Sequence, residues 1–150
     1  MKVLIMLGCP EYPIQTPLTI YTSYLLKIKN CKVSIAGNPA ALNLVKISDP
    51  ERRYIDKLLN IDSHEIEKNK WDYLIGFISN DASATYFITF NEILNVGSLS
   101  IVFNEDKKEL KELVETIKHN TNSKIIQARA RHNPKPLVKK IDAFMDEWME

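Results

Sequence analysis

Val3-Leu4-Ile5-Met6-Leu7-Gly8-Cys9-Pro10-Glu11 is the stretch that decides the fold. Five apolar residues in a row, stopped by a glycine, have the length and pattern of a strand buried on both faces, as in a parallel sheet. A proline-rich loop follows, and Thr16-Pro17 then reads as an N-cap and first helical residue. Leu18, Tyr21, Leu25 and Ile28 recur at helical spacing up to about residue 29.

Working outward, the same alternation repeats. A short strand over residues 32–36 runs into Gly37-Asn38-Pro39, with Asn38 as helix cap and Pro39 in the first turn. Ala40, Ala41, Leu44 and Val45 form that helix's expected stripe. Ser48-Asp49-Pro50 interrupts it, and residues 51–59 read as another helical segment with Tyr54, Ile55, Leu58 and Leu59 on one face. Residues 62–70 are charged and read as a solvated connection. Residues 73–78 are a third buried strand, ended by Ser79-Asn80-Asp81-Ala82-Ser83, and residues 85–94 follow as a helix closed by Asn95 and Gly97.

Residues 99–103 read as a fourth strand and 105–119 as the clearest amphipathic helix, with Leu110, Leu113, Val114 and Ile117 inside. Residues 124–131 alternate: Ile126, Ala128 and Ala130 on one face, Gln127, Arg129 and Arg131 on the other, as in an edge strand. After Pro134 and Pro136, the residues Leu137, Val138, Ile141, Phe144, Met145 and Trp148 make the stripe of a last helix, suited to the core or to a dimer contact. The order predicts an α/β fold: three layers, α/β/α, Rossmann-like, around a mostly parallel five-stranded sheet. Residues 1–150 are expected to form one α/β domain, an ordinary size for one.

Composition narrows the function classes. The net charge is +1, so no overall field recruits nucleic acid or an anionic membrane. Two cysteines, Cys9 and Cys31, are too few for a disulfide framework or a four-ligand zinc site. The apolar start is too short for a signal peptide, and no stretch reaches the roughly 18–20 apolar residues that span a bilayer. A cytoplasmic protein with reduced thiols is expected. His64, His119 and His132 lack partners at ligand spacing, so no metal site is expected. The first loop carries one glycine where the dinucleotide fingerprint needs three, and no Walker glycine-lysine pattern exists. No nucleophile elbow is present.

In open α/β sheets, ligands bind beyond the carboxyl ends of the strands, where helix N-termini favour anions. Three loops lie there: 8–15, 37–39 and 79–83. They nominate Gly8, Cys9, Glu11, Gln15, Thr16, Gly37, Asn38, Asn80 and Asp81 as ligand-binding residues. Cys9 is the one candidate for catalysis, since a thiol ahead of a helix N-terminus is a better nucleophile; as a packed thiol it would be inert. Glu11 and Gln15 either orient a polar ligand or stand exposed. Asn80, Asp81 and Ser83 either hold a hydroxyl or phosphate or serve the turn alone. Arg129, Arg131 and His132 make a basic patch fit for an anion, for a subunit contact or for edge protection.

Leu7-Gly8-Cys9-Pro10-Glu11, with Pro13, Gln15, Thr16 and Pro17, then Ala36-Gly37-Asn38-Pro39-Ala40-Ala41 and Asp49-Pro50, resembles a family of short proteins from methanogenic archaea catalogued as a domain of unknown function. The resemblance runs over nearly the whole chain. It implies a three-layer α/β/α fold and an archaeal cytoplasm, and carries no activity or cofactor with it. A weaker likeness, of fold only, is to sulfur-relay proteins of the DsrE type, whose reactive cysteine lies elsewhere in the chain. The leading expectation is binding of a small anionic ligand or nucleotide at the carboxyl ends of the first three strands. The alternatives are a non-catalytic homo-oligomeric interaction protein and thiol-dependent sulfur or acyl transfer through Cys9.

Overall fold

The computed structural model describes residues 1–63 and 66–148. Eleven elements alternate: β1 (Lys2–Met6), α1 (Gln15–Ile28), β2 (Lys32–Gly37), α2 (Pro39–Ser48), β3 (Lys57–Asn60), β4 (Tyr73–Ile78), α3 (Asp81–Leu94), β5 (Gly97–Phe103), α4 (Lys107–Asn120), β6 (Lys124–Ala128) and α5 (Lys135–Glu147). The strands form one sheet in the order β3-β2-β1-β4-β5-β6, and every neighbouring pair is parallel. The sheet is therefore six-stranded, one more than the sequence reading counted.

The extra strand is β3, where a helix over 51–59 was expected. Two local features prevent that helix. Arg52 sits in the left-handed region at φ 51°, which breaks a helical run. Asp49 takes the N–H groups of Arg53 (2.9 Å) and Tyr54 (3.1 Å) on its carboxylate, closing a turn. Released from helix, Lys57 to Asn60 add to the edge of β2, with Leu58 opposite Ile35 and Leu59 opposite Ala36.

Two cores sandwich the sheet. Val3, Ile5, Val33, Ile35, Ile75 and Phe77 face α1, α2 and α5. Leu4, Met6, Leu74, Ile78 and Val102 face α3 and α4. The inner strands are buried on both sides, hence their unbroken apolar runs, while the edge strand β6 alternates. The polar-faced edge at β6 agrees with the sequence, although regular strand ends at Ala128 rather than Arg131. The α5 stripe is core: Leu137, Ile141 and Met145 are buried, and Trp148 packs on Tyr73 with ring centroids 4.9 Å apart.

Several helix details differ from expectation. α1 starts at Gln15, so Ile14 holds the cap position without a side-chain bond, Thr16 is not the cap, and Pro17 is the third helical residue. Its buried face is Leu18, Thr19, Thr22, Ser23 and Leu26, which leaves Ile28 exposed. In α2, Leu42 takes the buried place expected for Leu44, and Ala40 is exposed. α3 begins at Asp81, four residues ahead of the predicted start. The reason is a capping box: Asn80 accepts from the Ser83 N–H at 2.9 Å, and Ser83 Oγ accepts from Asn80 N–H at 3.2 Å. Among the described residues no helix is long and apolar enough to cross a membrane. Residues 62–70 are only partly the solvated link expected, because Ile66 packs against the α3–α4 core; His64 lies outside the described residues.

Candidate functional site

Strand order reverses direction between β1 and β4. From β1 the chain crosses to β2 and β3 on one side; from β4 it crosses to β5 and β6 on the other. The loops after β1 and β4 thus diverge at the carboxyl edge, the topological switch point where this architecture places ligands. β2, β1 and β4 are adjacent, with Met6 in register with both Ala36 and Gly76. The structure therefore brings the three nominated loops together.

The first loop is held firmly. The Gln15 amide donates to Gly8 O at 3.0 Å and its oxygen accepts from Gly8 N–H at 3.2 Å. Gln15 is buried, so it builds the loop rather than facing a ligand. A side chain on Gly8 would put its Cβ 2.8 Å from Ser83 Cβ, so the glycine lets this loop sit against the start of α3. The far end of the loop is tied across the sheet. Tyr12 packs edge-on to Phe103 (5.7 Å), the Arg131 guanidinium lies 4.8 Å from the Tyr12 ring, and Ile14 N–H donates to Arg131 O at 3.3 Å. Arg131 also meets Glu105 at 3.4 Å, and Arg129 Nε donates to Glu105 O at 3.1 Å. Of the basic patch read from the sequence, Arg131 thus fastens the first loop, while Arg129 holds Glu105. Tyr12 and Asn104 were missed; Asn104 is buried and donates to Ser79 O and to Glu109 Oε2, both at 3.0 Å. No local spacing marks their link to the edge, because Tyr12 meets Phe103 and Asn104 meets Ser79 only across the sheet.

Asn38 caps α2, accepting from Ala41 N–H at 2.8 Å, and its amide nitrogen donates to Cys9 Sγ at 3.2 Å. This bond joins the first and second loops. Cys9 is exposed and Cys31 buried, both as free thiols. The hydrogen-bond partner of the Cys9 sulfur is an amide, which cannot take up a proton as a general base would. Gly37 is buried beneath this junction, and Glu11 and Asp81 are exposed.

Among the described residues, the edge keeps main-chain donors without a partner. In α1, Gln15 N–H goes to Tyr12 O and Pro17 has none to give, which leaves Thr16. In α2, Pro39 lacks an N–H and Asn38 holds those of Ala41 and Leu42, which leaves Ala40. In α3, Asn80 holds those of Ser83 and Ala84, which leaves Asp81 and Ala82. Helix N-termini with unspent donors favour anions. Two carboxylates, Glu11 and Asp81, share the edge and weaken that field. No group of three or more His, Cys, Asp or Glu able to hold a metal ion occurs among the described residues.

A doubly wound α/β domain with this switch point is the class that fold and site define. The chain belongs to the family described as domain of unknown function DUF1890, whose model matches residues 4–144. The uncharacterized protein MJ0452 of Methanocaldococcus jannaschii is 36% identical over 147 residues, covering 97% of each chain. The solved structure of MT0777 matches with a TM-score of 0.95 and 47% identity over 98% of both chains. More distant structures share the fold. The cypemycin decarboxylase CypD matches at TM-score 0.59 and 10% identity, covering 99% of this chain and 96% of its own. The FMN-dependent cysteine decarboxylase SpaF matches at 0.59 and 7%, covering 97% and 98%.

Proposed function

We propose that this protein binds a small anionic ligand, a nucleotide in particular, at the carboxyl edge of β1, β2 and β4. The carrying observation is the adjacency of those strand ends at the switch point, with main-chain donors at Thr16, Ala40, Asp81 and Ala82 left over around them. Glu11 and Asp81 suit hydroxyl and ring N–H donors, so a ligand carrying both an anionic group and a sugar or ring fits better than a bare anion. The fold-level relative SpaF is described as FMN-dependent, which makes FMN the first ligand to try.

Cys9 supplies a built-in footprint, since it is exposed at this edge while Cys31 is buried. A thermal-shift panel of FMN, mononucleotides and phosphorylated coenzymes is expected to yield at least one stabilising ligand, and that ligand slows iodoacetamide labelling of Cys9. No stabilisation at millimolar levels, or stabilisation with Cys9 labelled at an undiminished rate, overturns the assignment.

Self-association is a second reading, favoured by one observation. Tyr24 (41%), Ile28 (60%), Leu44 (41%) and Ile47 (75%) leave large apolar surface exposed on α1 and α2. A second copy of the chain is the occupant this reading assigns. Light scattering is expected to show an oligomer that Ile47→Glu disperses; a monomer at 100-micromolar concentration (an order-of-magnitude working level) ends it.

A further inference from the structure

The amino ends of β1, β2 and β3, opposite the site above, hold a second cleft of about 410 Å³. Four lysines line it: Lys2, Lys32, Lys57 and Lys70, with Ser34 and Trp71 between them. The sheet register explains the clustering. Lys2 lies directly opposite Lys32, and Lys57 directly opposite Ser34. Lys2 shares its strand face with Leu4 and Met6, Lys32 with Ala36, and Lys57 with Leu59, all residues that pack toward α3 and α4. Lys2, Lys32 and Lys57 thus lie on the same face of the sheet.

Negative charge there is already engaged. Asp56, the carboxylate lining the cleft, holds Lys27 Nζ at 2.8 and 2.9 Å and the Val33 N–H at 2.8 Å. Lys70 meets Glu67 at 3.2 Å, and Asp72 accepts the Lys2 backbone N–H at 2.8 Å. Lys2, Lys32 and Lys57 form no ion pair among the described residues. Like charges directly opposite on one sheet face repel, as Lys2 and Lys32 do here, and the nearby Asp56 charge, already paired with Lys27, offsets only part of that. A near-neutral chain has ample carboxylates to neutralise three lysines, yet leaves them converging on one hollow.

We propose that this cleft is a binding site for an oligophosphate group, a chain of two or three phosphates. Ammonium groups act as point charges suited to phosphate oxygens, and several around one hollow match a compact polyanion. Two sources share that chemistry: inorganic oligophosphate, and a nucleoside di- or triphosphate whose base meets Trp71. A concave cleft of this volume fits a small molecule rather than a nucleic-acid strand.

The test uses the full chain with Trp148→Phe, so that Trp71 alone reports by fluorescence. Tripolyphosphate and ATP are each expected to change Trp71 emission, with an affinity that falls steeply as salt rises. Tighter binding of ATP than of tripolyphosphate assigns the nucleotide as source, and equal binding assigns the inorganic chain. Lys32→Ala with Lys57→Ala weakens tripolyphosphate at least tenfold, while the variant's circular dichroism without ligand stays that of the parent. Cys9 labelling stays unaffected by tripolyphosphate, which separates this cleft from the carboxyl-edge site. No response at millimolar tripolyphosphate, an equal response in the double-lysine variant, or tighter binding of a single-stranded oligonucleotide overturns the proposal.

Discussion

Thr22 and Gly76 show how much single atoms decide in this molecule. Thr22 is buried on α1, and its hydroxyl has no hydrogen-bond partner among the described residues. A buried hydroxyl without a partner costs about 1–3 kcal/mol, whereas an apolar group of the same shape costs little. Thr22→Val is therefore expected to raise stability by roughly 1 kcal/mol, read as a higher urea midpoint at constant slope; an unchanged or lower midpoint contradicts the orphaned hydroxyl. Gly76 has the opposite character. A Cβ there would stand 2.2 Å from Phe87 Cδ1, inside the packing of α3 on β4. Gly76→Ala is expected to cost about 1–3 kcal/mol through overpacking. Adding Phe87→Leu should restore part of that loss, and strict additivity of the two changes would show that they do not collide.

At the scale of the element, β3 shows both the reach and the limit of sequence reading. It is fastened by Asp56, whose carboxylate takes the Val33 N–H and the Lys27 ammonium. Burial pushes the Asp56 carboxyl up, but Lys27, the Val33 N–H and nearby Lys32 outweigh it and hold the group below its ordinary value. A lowered folded pKa gives stability that is present above the unfolded value of about 3.9 and is lost as pH falls through the folded pKa. Asp56→Asn is thus expected to lower the thermal midpoint at pH 7, with the gap to wild type closing as pH drops below about 4. A gap that is constant with pH would exclude the charge as its cause. The pair is more than one-third exposed on both sides, so the effect is small. Strands such as β1 and β4 were legible because burial on both faces demands unbroken apolar runs. β3 was not, since Tyr54, Ile55, Leu58 and Leu59 fit helical spacing, and only Arg52 at positive φ and the Asp49 turn rule the helix out. The carboxyl-edge loops were legible for a related reason: Gly37-Asn38-Pro39 names its own turn and cap. Gln15 was misjudged because its partner is a backbone group of Gly8, which no pattern of residue types reveals.

For the whole molecule, the closure of the helical layer on the sheet sets how the fold responds to alkali. Two tyrosines sit where α5 meets the rest. Tyr21 on α1 donates to Asp142 on α5 at 2.5 Å, and that bond, then burial, then the Asp142 charge raise its pKa to about 12. Tyr73 on β4 packs under Phe144 and Trp148, and burial raises it to about 12 as well. Both groups are held neutral in the folded chain. The sign follows from linkage: a raised folded pKa gives stability fully present below the unfolded value of about 10 and lost as pH rises through about 12. Stability is accordingly expected to be flat toward pH 9 and to fall between about pH 10 and pH 12, with both phenols ionising as the fold opens. Tyr21→Phe removes one contribution and should make the decline shallower, at the cost of the bond to Asp142 near neutrality. Tyr73→Phe keeps the ring packed on Trp148 and should make the decline shallower with little change at pH 7. Phenolate absorbance at alkaline pH, followed together with circular dichroism, distinguishes the outcomes. Absorbance rising fully by pH 10.5, ahead of any unfolding, would mean that α5 does not shield either ring.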